Sequence, residues 1–377
     1  MRTERSVLKE QIGLMLRIRA LMASGRGDDD EADELRERTL DTWHSLTPTE
    51  LRFLQDASAD LHALQGSERN PTSHSVDANA LRSLGVAVEE QKWPSVLELL
   101  RYKVPQIRED YQLYFRARAY RALGFPELSV PFIRAAASVS PSNINFEALL
   151  LDTLLSLGSF NEAVERAEEI VRDPNARHPR LRLRAADVFF RAAQHETNSG
   201  RRGALFTRVT ELIERSIEGH SKLPDNERLR SVEAGAWIEL GLAYSHLADH
   251  GMATSAFERG LERFGDHSLV CTAAGLHYLR LGDARGDLLL RRAAQLQAQV
   301  PYPYMYLAHS ALKEGDRAAF DGAVKVARER TTSASTGATL DAWIAAMNEE
   351  ARDAKVASLR FPEVSDEELI PTIDLAA

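Results

Sequence analysis

His246 and His250 are four residues apart, a spacing that sets two imidazoles on one face of a helix, as a helical metal site requires. The rest of such a site is missing. None of the 11 histidines stands in a His-Glu-x-x-His arrangement, His250 falls at an expected turn, and no neighbouring acid completes a ligand set. Gly200 and Gly203 flank Arg201 and Arg202, but the lysine and hydroxyl that close a phosphate cradle do not follow. Serines, histidines and carboxylates are plentiful, yet no segment orders them into a nucleophile, base and acid. The single cysteine, Cys271, excludes an intramolecular disulfide and a multi-cysteine metal cage, and reads as a small buried hydrophobe. These patterns predict a chain that is not an enzyme, with no catalytic residues, no metal and no cofactor.

Binding chemistry is better represented. Tyr111, Tyr114, Arg118 and Arg121 fall on one side of a single helix, joining aromatic faces to two cations. Such a patch can receive an acidic partner or stack on nucleic-acid bases. The net charge of −9 and a pI near 5.7 disfavour nonspecific attraction to nucleic acid or anionic lipid, so the patch points toward protein. The apolar run at 12–16 is too short to cross a bilayer, and Arg17 and Arg19 interrupt it as a secretion signal. A cytoplasmic location without a membrane span is the expectation.

These residues need elements to hold them, and a chain that is 44% hydrophobic can bury a sizeable core. Leu8, Ile12, Leu16, Ile18 and Met22 form a broad helical stripe that Gly25 and Gly27 break, ahead of an acidic run at 28–31 suited to a solvated helix start. Thr47, Pro48, Thr49 and Glu50 predict the next start: a capping residue, a proline at the first helical position and a glutamate that reaches back. The polar stretch 65–75 is the best boundary, as a linker or as a surface loop.

Beyond that boundary the chain becomes periodic. Residues 78–91 and 94–100 suggest a divergent hairpin marked by Leu81, Leu84 and Gly85. Tyr120, Gly124, Ala136 and Pro141 mark the next; Leu150, Leu154, Gly158, Phe160, Ala163, Ala167 and Pro174 follow, with the two turn glycines 34 residues apart. The fourth interval, about 178–233, is enlarged, with helices expected at 179–194 and 205–218 around polar residues 195–202 and a break at 222–226. Two clear units then start 34 residues apart: Trp237, Leu240, Gly241, Tyr244, Ala253 and Phe257, then Ala274, Gly275, Tyr278 and Gly282. Another begins near Pro301 with Tyr304, Leu307, Ala308, Gly315, Ala319 and Ala327. A loop at 331–337 and a terminal helix at 340–359 close the pattern, with Trp343, Ile344 and Ala345 suited to covering the last pair. A period of this length implies stacked helical pairs, each covering its neighbour's apolar face.

Over about residues 77–330 these markers resemble the tetratricopeptide repeat (TPR) family. The resemblance implies an all-α fold, a right-handed superhelical array of TPR-like antiparallel helix pairs, with an N-terminal helical extension and a C-terminal capping helix. The corresponding segments are 1–75 (extension), 76–330 (array), 331–360 (capping helix) and 361–377 (an acidic-aliphatic tail). It further implies a concave groove that binds a peptide or helical segment. Some members hold acidic peptide C-termini with a lysine and asparagine clamp. Here the matching offsets carry Gly235, Ile238, Glu239 and Leu242, then Leu269, Thr272, Ala273 and Leu276, so that clamp is absent.

The same phase makes Ile238, Leu242, Leu269, Leu276 and Leu279 candidates to line the groove, with Tyr302, Met305 and His309 joining them if the prolines near Pro301 shift the phase. The other reading is that adjacent turns or the terminal helix bury them. In the tail, Glu363, Asp366, Glu367 and Glu368 precede Leu369, Ile370, Ile373 and Leu375, a segment that could dock in cis or on another copy. The expected function is a noncatalytic protein-protein interaction scaffold or adaptor; a homo-oligomer stays open. The alternative is a regulatory or accessory subunit of an enzyme complex, or an enzyme with an unrecognised site.

Overall fold

The computed structural model describes residues 4–64, 78–101, 107–141, 143–173, 178–220, 227–352 and Leu369. Among them every regular element is an α-helix, and they divide into two compact units. The first holds α1 (Glu4–Ala23), α2 (Asp30–Trp43), α3 (Pro48–Ala63), α4 (Ala78–Glu89), α5 (Trp93–Leu100), α6 (Glu109–Ala122), α7 (Pro126–Val139), α8 (Ile144–Ser156) and α9 (Phe160–Arg172), whose last turn marks the division. The second holds α10 (Pro179–His195), α11 (Ser199–His220), α12 (Glu227–His246), α13 (His250–Phe264), α14 (Ser268–Arg280), α15 (Arg285–Gln295), α16 (Tyr302–Lys313), α17 (Arg317–Glu329) and α18 (Ala334–Arg352). The expected boundary at 65–75, the break at 222–226 and the tail apart from Leu369 lie outside the described residues.

Local chemistry sets the helix ends. Thr47 caps α3 through the Glu50 amide while the Glu50 carboxylate takes the Thr47 N–H, and Pro48 occupies the first turn. Asn198 accepts from the Arg201 amide at 3.0 Å, so α11 starts at Ser199 and the polar break expected at 195–202 shrinks to a few residues. Ser333 likewise accepts from Thr336 at 3.0 Å, which draws most of the loop expected at 331–337 into α18. In both places a capping side chain outweighs local polarity. The enlarged fourth interval is accommodated largely by length, with 17 residues in α10 and 22 in α11.

Turns and close approaches require particular residues. Gly124, Gly158, Gly282 and Gly315 all sit at φ between 69° and 89°, the left-handed region where glycine has no Cβ penalty. Ala248 takes the same position in the Trp237 repeat at φ 58°, so the turn falls there and His250 opens α13. A Cβ at Gly241 would lie 2.5 Å from the Phe257 ring, and one at Gly286 would lie 2.7 Å from the backbone nitrogen of Leu279. Glycine at these points lets paired helices approach at ring and backbone contact.

In the first unit α1 packs on α2 through Leu14, Leu21, Ala32 and Leu35. Met22, assigned to the stripe by spacing, is exposed instead, because the contact with α2 falls one position earlier. The leader is joined to the repeats: Phe53 stacks against Phe125 at 4.8 Å, and the Tyr120 hydroxyl donates to Asp60 at 2.7 Å. In the second unit the pairs are α10 with α11, α12 with α13, α14 with α15 and α16 with α17. The first helices also meet directly, α10 with α12 and α12 with α14. Finally α18 rests on α16 and α17 and buries Leu340, Trp343 and Met347; Ala345, expected among the covering residues, faces solvent.

Candidate protein-interaction surface

The α6 patch is present, and its groups are engaged. Tyr111 is half-buried and Tyr114 buried, the two rings meeting edge to face at 6.5 Å with Phe146 packed against both. Arg118 lies over the Trp93 ring at 5.2 Å and over Tyr114 at 5.7 Å. Arg121 faces the buried Asp152 of α8 at 3.7 Å. Cation and ring are thus matched within the first unit, leaving Tyr111 and Arg118 as half-buried edges.

The eight C-terminal candidates are all placed on first helices of the second unit. Ile238, Leu242, Leu276, Tyr302, Met305 and His309 are buried, whereas Leu269 and Leu279 are half-buried. Burial extends beyond these positions. Residues 183–190 of α10, 232–243 of α12 and 270–278 of α14 are buried without interruption. Twelve consecutive residues circle a helix more than three times, so α12 has no solvent-facing stripe there. Ile238 and Leu242 are as buried as Trp237.

Within this row lie polar groups of which the spacing had marked only Glu239, as a groove offset. On α10, Asp187 accepts from Arg184 at 2.6 Å and from Arg191 at 2.7 Å, one donor about a turn to either side of it. Glu239 of α12 sits near them; burial is the main cause that pushes its carboxyl well above the usual range, the charge of Asp187 adds, and Arg191 and Arg184 oppose. The i, i+3 and i+4 spacing of the α10 ions was readable, but such spacing ordinarily marks a solvated face. His277 of α14 is buried, with Nε2 2.9 Å from Thr254 Oγ1, Nδ1 3.4 Å from Ser245 Oγ and its ring 4.9 Å from Phe257. Burial first, then the positive neighbours His250, Arg280 and Arg285, lowers its pKa to about 4. It is a neutral core imidazole whose two nitrogens both have hydroxyl neighbours.

The residues weighed for catalysis do not converge. The exposed His246 ring stacks on Phe206 at 4.4 Å, and Gly200 and Gly203 lie inside α11. Cys271 is buried, and burial raises its thiol pKa. Among the described residues no group of three or more His, Cys, Asp or Glu is placed to hold a metal ion, and no helix is long and apolar enough to cross a membrane. One feature was missed entirely: a cleft of about 510 Å³ among α1, α2 and α3, lined by Met15, Ile18, Met22, Trp43 and Leu54. Met15, Ile18 and Met22 at helical spacing were a signal for it, but a stripe of this kind reads equally as core.

No protein-family model and no curated protein matches the sequence. Solved structures do match. A tetratricopeptide repeat protein from Parabacteroides merdae aligns over 70% of this chain and 96% of its own at 13% identity, with a TM-score of 0.52. The C-terminal part of a TPR repeat-containing protein from Cytophaga hutchinsonii aligns over 67% of this chain and 99% of its own at 14% identity, with a TM-score of 0.43. A TPR protein from Thermus thermophilus covers 50% of this chain and 91% of its own at 17% identity and a TM-score of 0.38. Repeat spacing, left-handed turn glycines, paired helices and the first of these likenesses agree on one architecture: the chain has an all-helical TPR-like repeat fold built from paired antiparallel helices.

Proposed function

We propose that the chain is a noncatalytic protein-interaction scaffold that holds a polypeptide segment against the first-helix row of its second unit. The observation that carries this reading is the uninterrupted burial of α12 and α14. A helix buried on every side has polypeptide on every side. The accessible aliphatic positions of this row are the half-buried Leu269 and Leu279, while Ile238, Leu242, Leu276, Met305, Tyr302 and His309 are buried on the same first helices. A surface of that kind suits a helix or an extended strand whose side chains alternate between pocket and solvent.

The half-buried Leu269 and Leu279 allow this reading to be tested without emptying the core. Synthetic peptides that alternate aliphatic and acidic residues, labelled with a fluorophore, should bind the chain, and Leu269→Ala with Leu279→Ala should weaken binding about tenfold or more while thermal melts stay unchanged. Loss of affinity only in step with loss of the thermal transition would sink the proposal. Binding abolished instead by Trp43→Ala would move the surface to the α1–α3 cleft.

A further inference from the structure

We propose that the cleft among α1, α2 and α3 binds a single-chain aliphatic carboxylate, with Arg19 pairing the carboxylate and Met15, Ile18, Trp43 and Leu54 holding the chain. The cleft belongs to the first unit and not to the first-helix row. Its volume of about 510 Å³ falls within the roughly 300–1,000 Å³ of small-molecule pockets. From Gln11 to Met22 it follows roughly 16 Å of α1, at the rise of an α-helix, which is length enough for an extended decanoyl chain. Leu54 forms a buried wall, Met15, Ile18 and Trp43 are half-buried, and Met22 stands exposed at the edge. Apolar surface left open in a concavity of this size suits an apolar ligand.

Charge selects the head group. Arg19 lines the cleft half-buried, and its guanidinium donates to the Leu61 carbonyl in the last turn of α3. Among the described residues no carboxylate pairs with it, and burial lowers its pKa with no acid to offset the effect. Its neighbours differ: Arg17, Arg26, Arg36 and Arg38 each pair with an acid. The acids of α3 are engaged elsewhere, Asp56 with Arg101 and Asp60 with the Tyr120 hydroxyl at 2.7 Å. None of the described lining residues is acidic although the chain carries 56 acids, so the cleft favours an anion in a protein whose net charge is −9. A guanidinium fork matches the two oxygens of a carboxylate, and one such group balances its single charge, whereas a phosphate monoester carries about two.

Isothermal titration calorimetry on the full-length chain tests this, with decanoate as the probe and decanol and decyltrimethylammonium as its neutral and cationic counterparts. Decanoate should bind at one site per chain, at least tenfold more tightly than either counterpart. Affinity should rise about threefold with each methylene from hexanoate to decanoate. Arg19→Gln should weaken decanoate at least tenfold and leave decanol unchanged, the second result showing that the cleft is intact. No binding of decanoate, equal binding of the three probes, an affinity indifferent to chain length, or full decanoate affinity in Arg19→Gln would each overturn the proposal. Because Arg19 also bonds the end of α3, a second measurement leaves it unaltered. Decanoate brominated at its far end should quench part of the tryptophan emission of the wild-type chain, and Trp43→Phe should abolish that quenching. Quenching that persists in Trp43→Phe would place the ligand at another tryptophan and overturn the site. Leu269→Ala with Leu279→Ala, which probes the first-helix row, should leave decanoate binding unchanged; a tenfold loss there would move the ligand to the row and overturn the assignment.

Discussion

α14 and α15 are consecutive, make one pair and are of similar length, yet they occupy opposite situations. α14 is buried at every position from 270 to 278, while α15 buries Gly286, Leu290 and Ala293 and turns Leu288 67% open to solvent. The second helix is amphipathic in the ordinary sense, with a core-facing stripe and a charged back. The first helix has no back. Its lesson is that in this unit the first-helix row behaves as an interior, where glycine contacts, a neutral histidine and a buried ion cluster are tolerated only because packing and hydrogen bonds surround them.

The largest effect that tests this contrast is expected from Trp237→Ala and Ile238→Ala on α12. Both side chains are buried, so each should cost about 3–5 kcal/mol by denaturant titration, at the upper part of the range for emptied core sites. A loss under 1 kcal/mol for Ile238→Ala would restore an open groove face at that position.

pH gives the next test. The folded pKa of His277, about 4, lies below its unfolded value near 6.5, so the folded state binds fewer protons between those values. Its contribution is full at neutral pH and is lost as pH falls through that window, by about 2–3 kcal/mol. His277→Gln should flatten this part of the stability curve; an unchanged slope would place the imidazole in solvent.

Gly286→Ala follows in size. The new methyl meets α14 backbone at 2.7 and 2.9 Å, which no rotamer relieves, and roughly 1–3 kcal/mol should be lost. A wild-type melting temperature would show that the pair is looser than drawn. The smallest effect belongs to the outer row: Leu288→Ala should change stability by less than about 0.5 kcal/mol. A larger loss would mean that α15 is covered too, and the contrast between the rows would collapse.

Much of the fold was legible residue by residue. Gly241 and Phe257 announced a close helical pair, Gly124, Gly158, Gly282 and Gly315 announced turns, and Thr47 with Glu50 announced a helix start. The candidate surface was legible only as a phase. Ile238, Leu242 and Leu276 were assigned to a shared side and lie buried on first helices, but spacing cannot say whether an apolar side chain meets solvent, another helix or a distant segment. The Arg184, Asp187 and Arg191 cluster illustrates the same limit, since ions one turn apart look alike on a solvated helix and in an interior. Leu269 and Leu279 escaped full burial although they share the pattern of their neighbours.

The sequence by itself therefore determined the helices, their pairing and the repeat, because helix periodicity, capping and steric need for glycine act over a few to a few tens of residues. Tertiary structure decided which helices form an interior, that His277 and Glu239 are held in surroundings that disfavour their charge, and that Leu369 is buried with the second unit. Those outcomes depend on desolvation, and desolvation at one residue is set by whatever the rest of the chain brings against it.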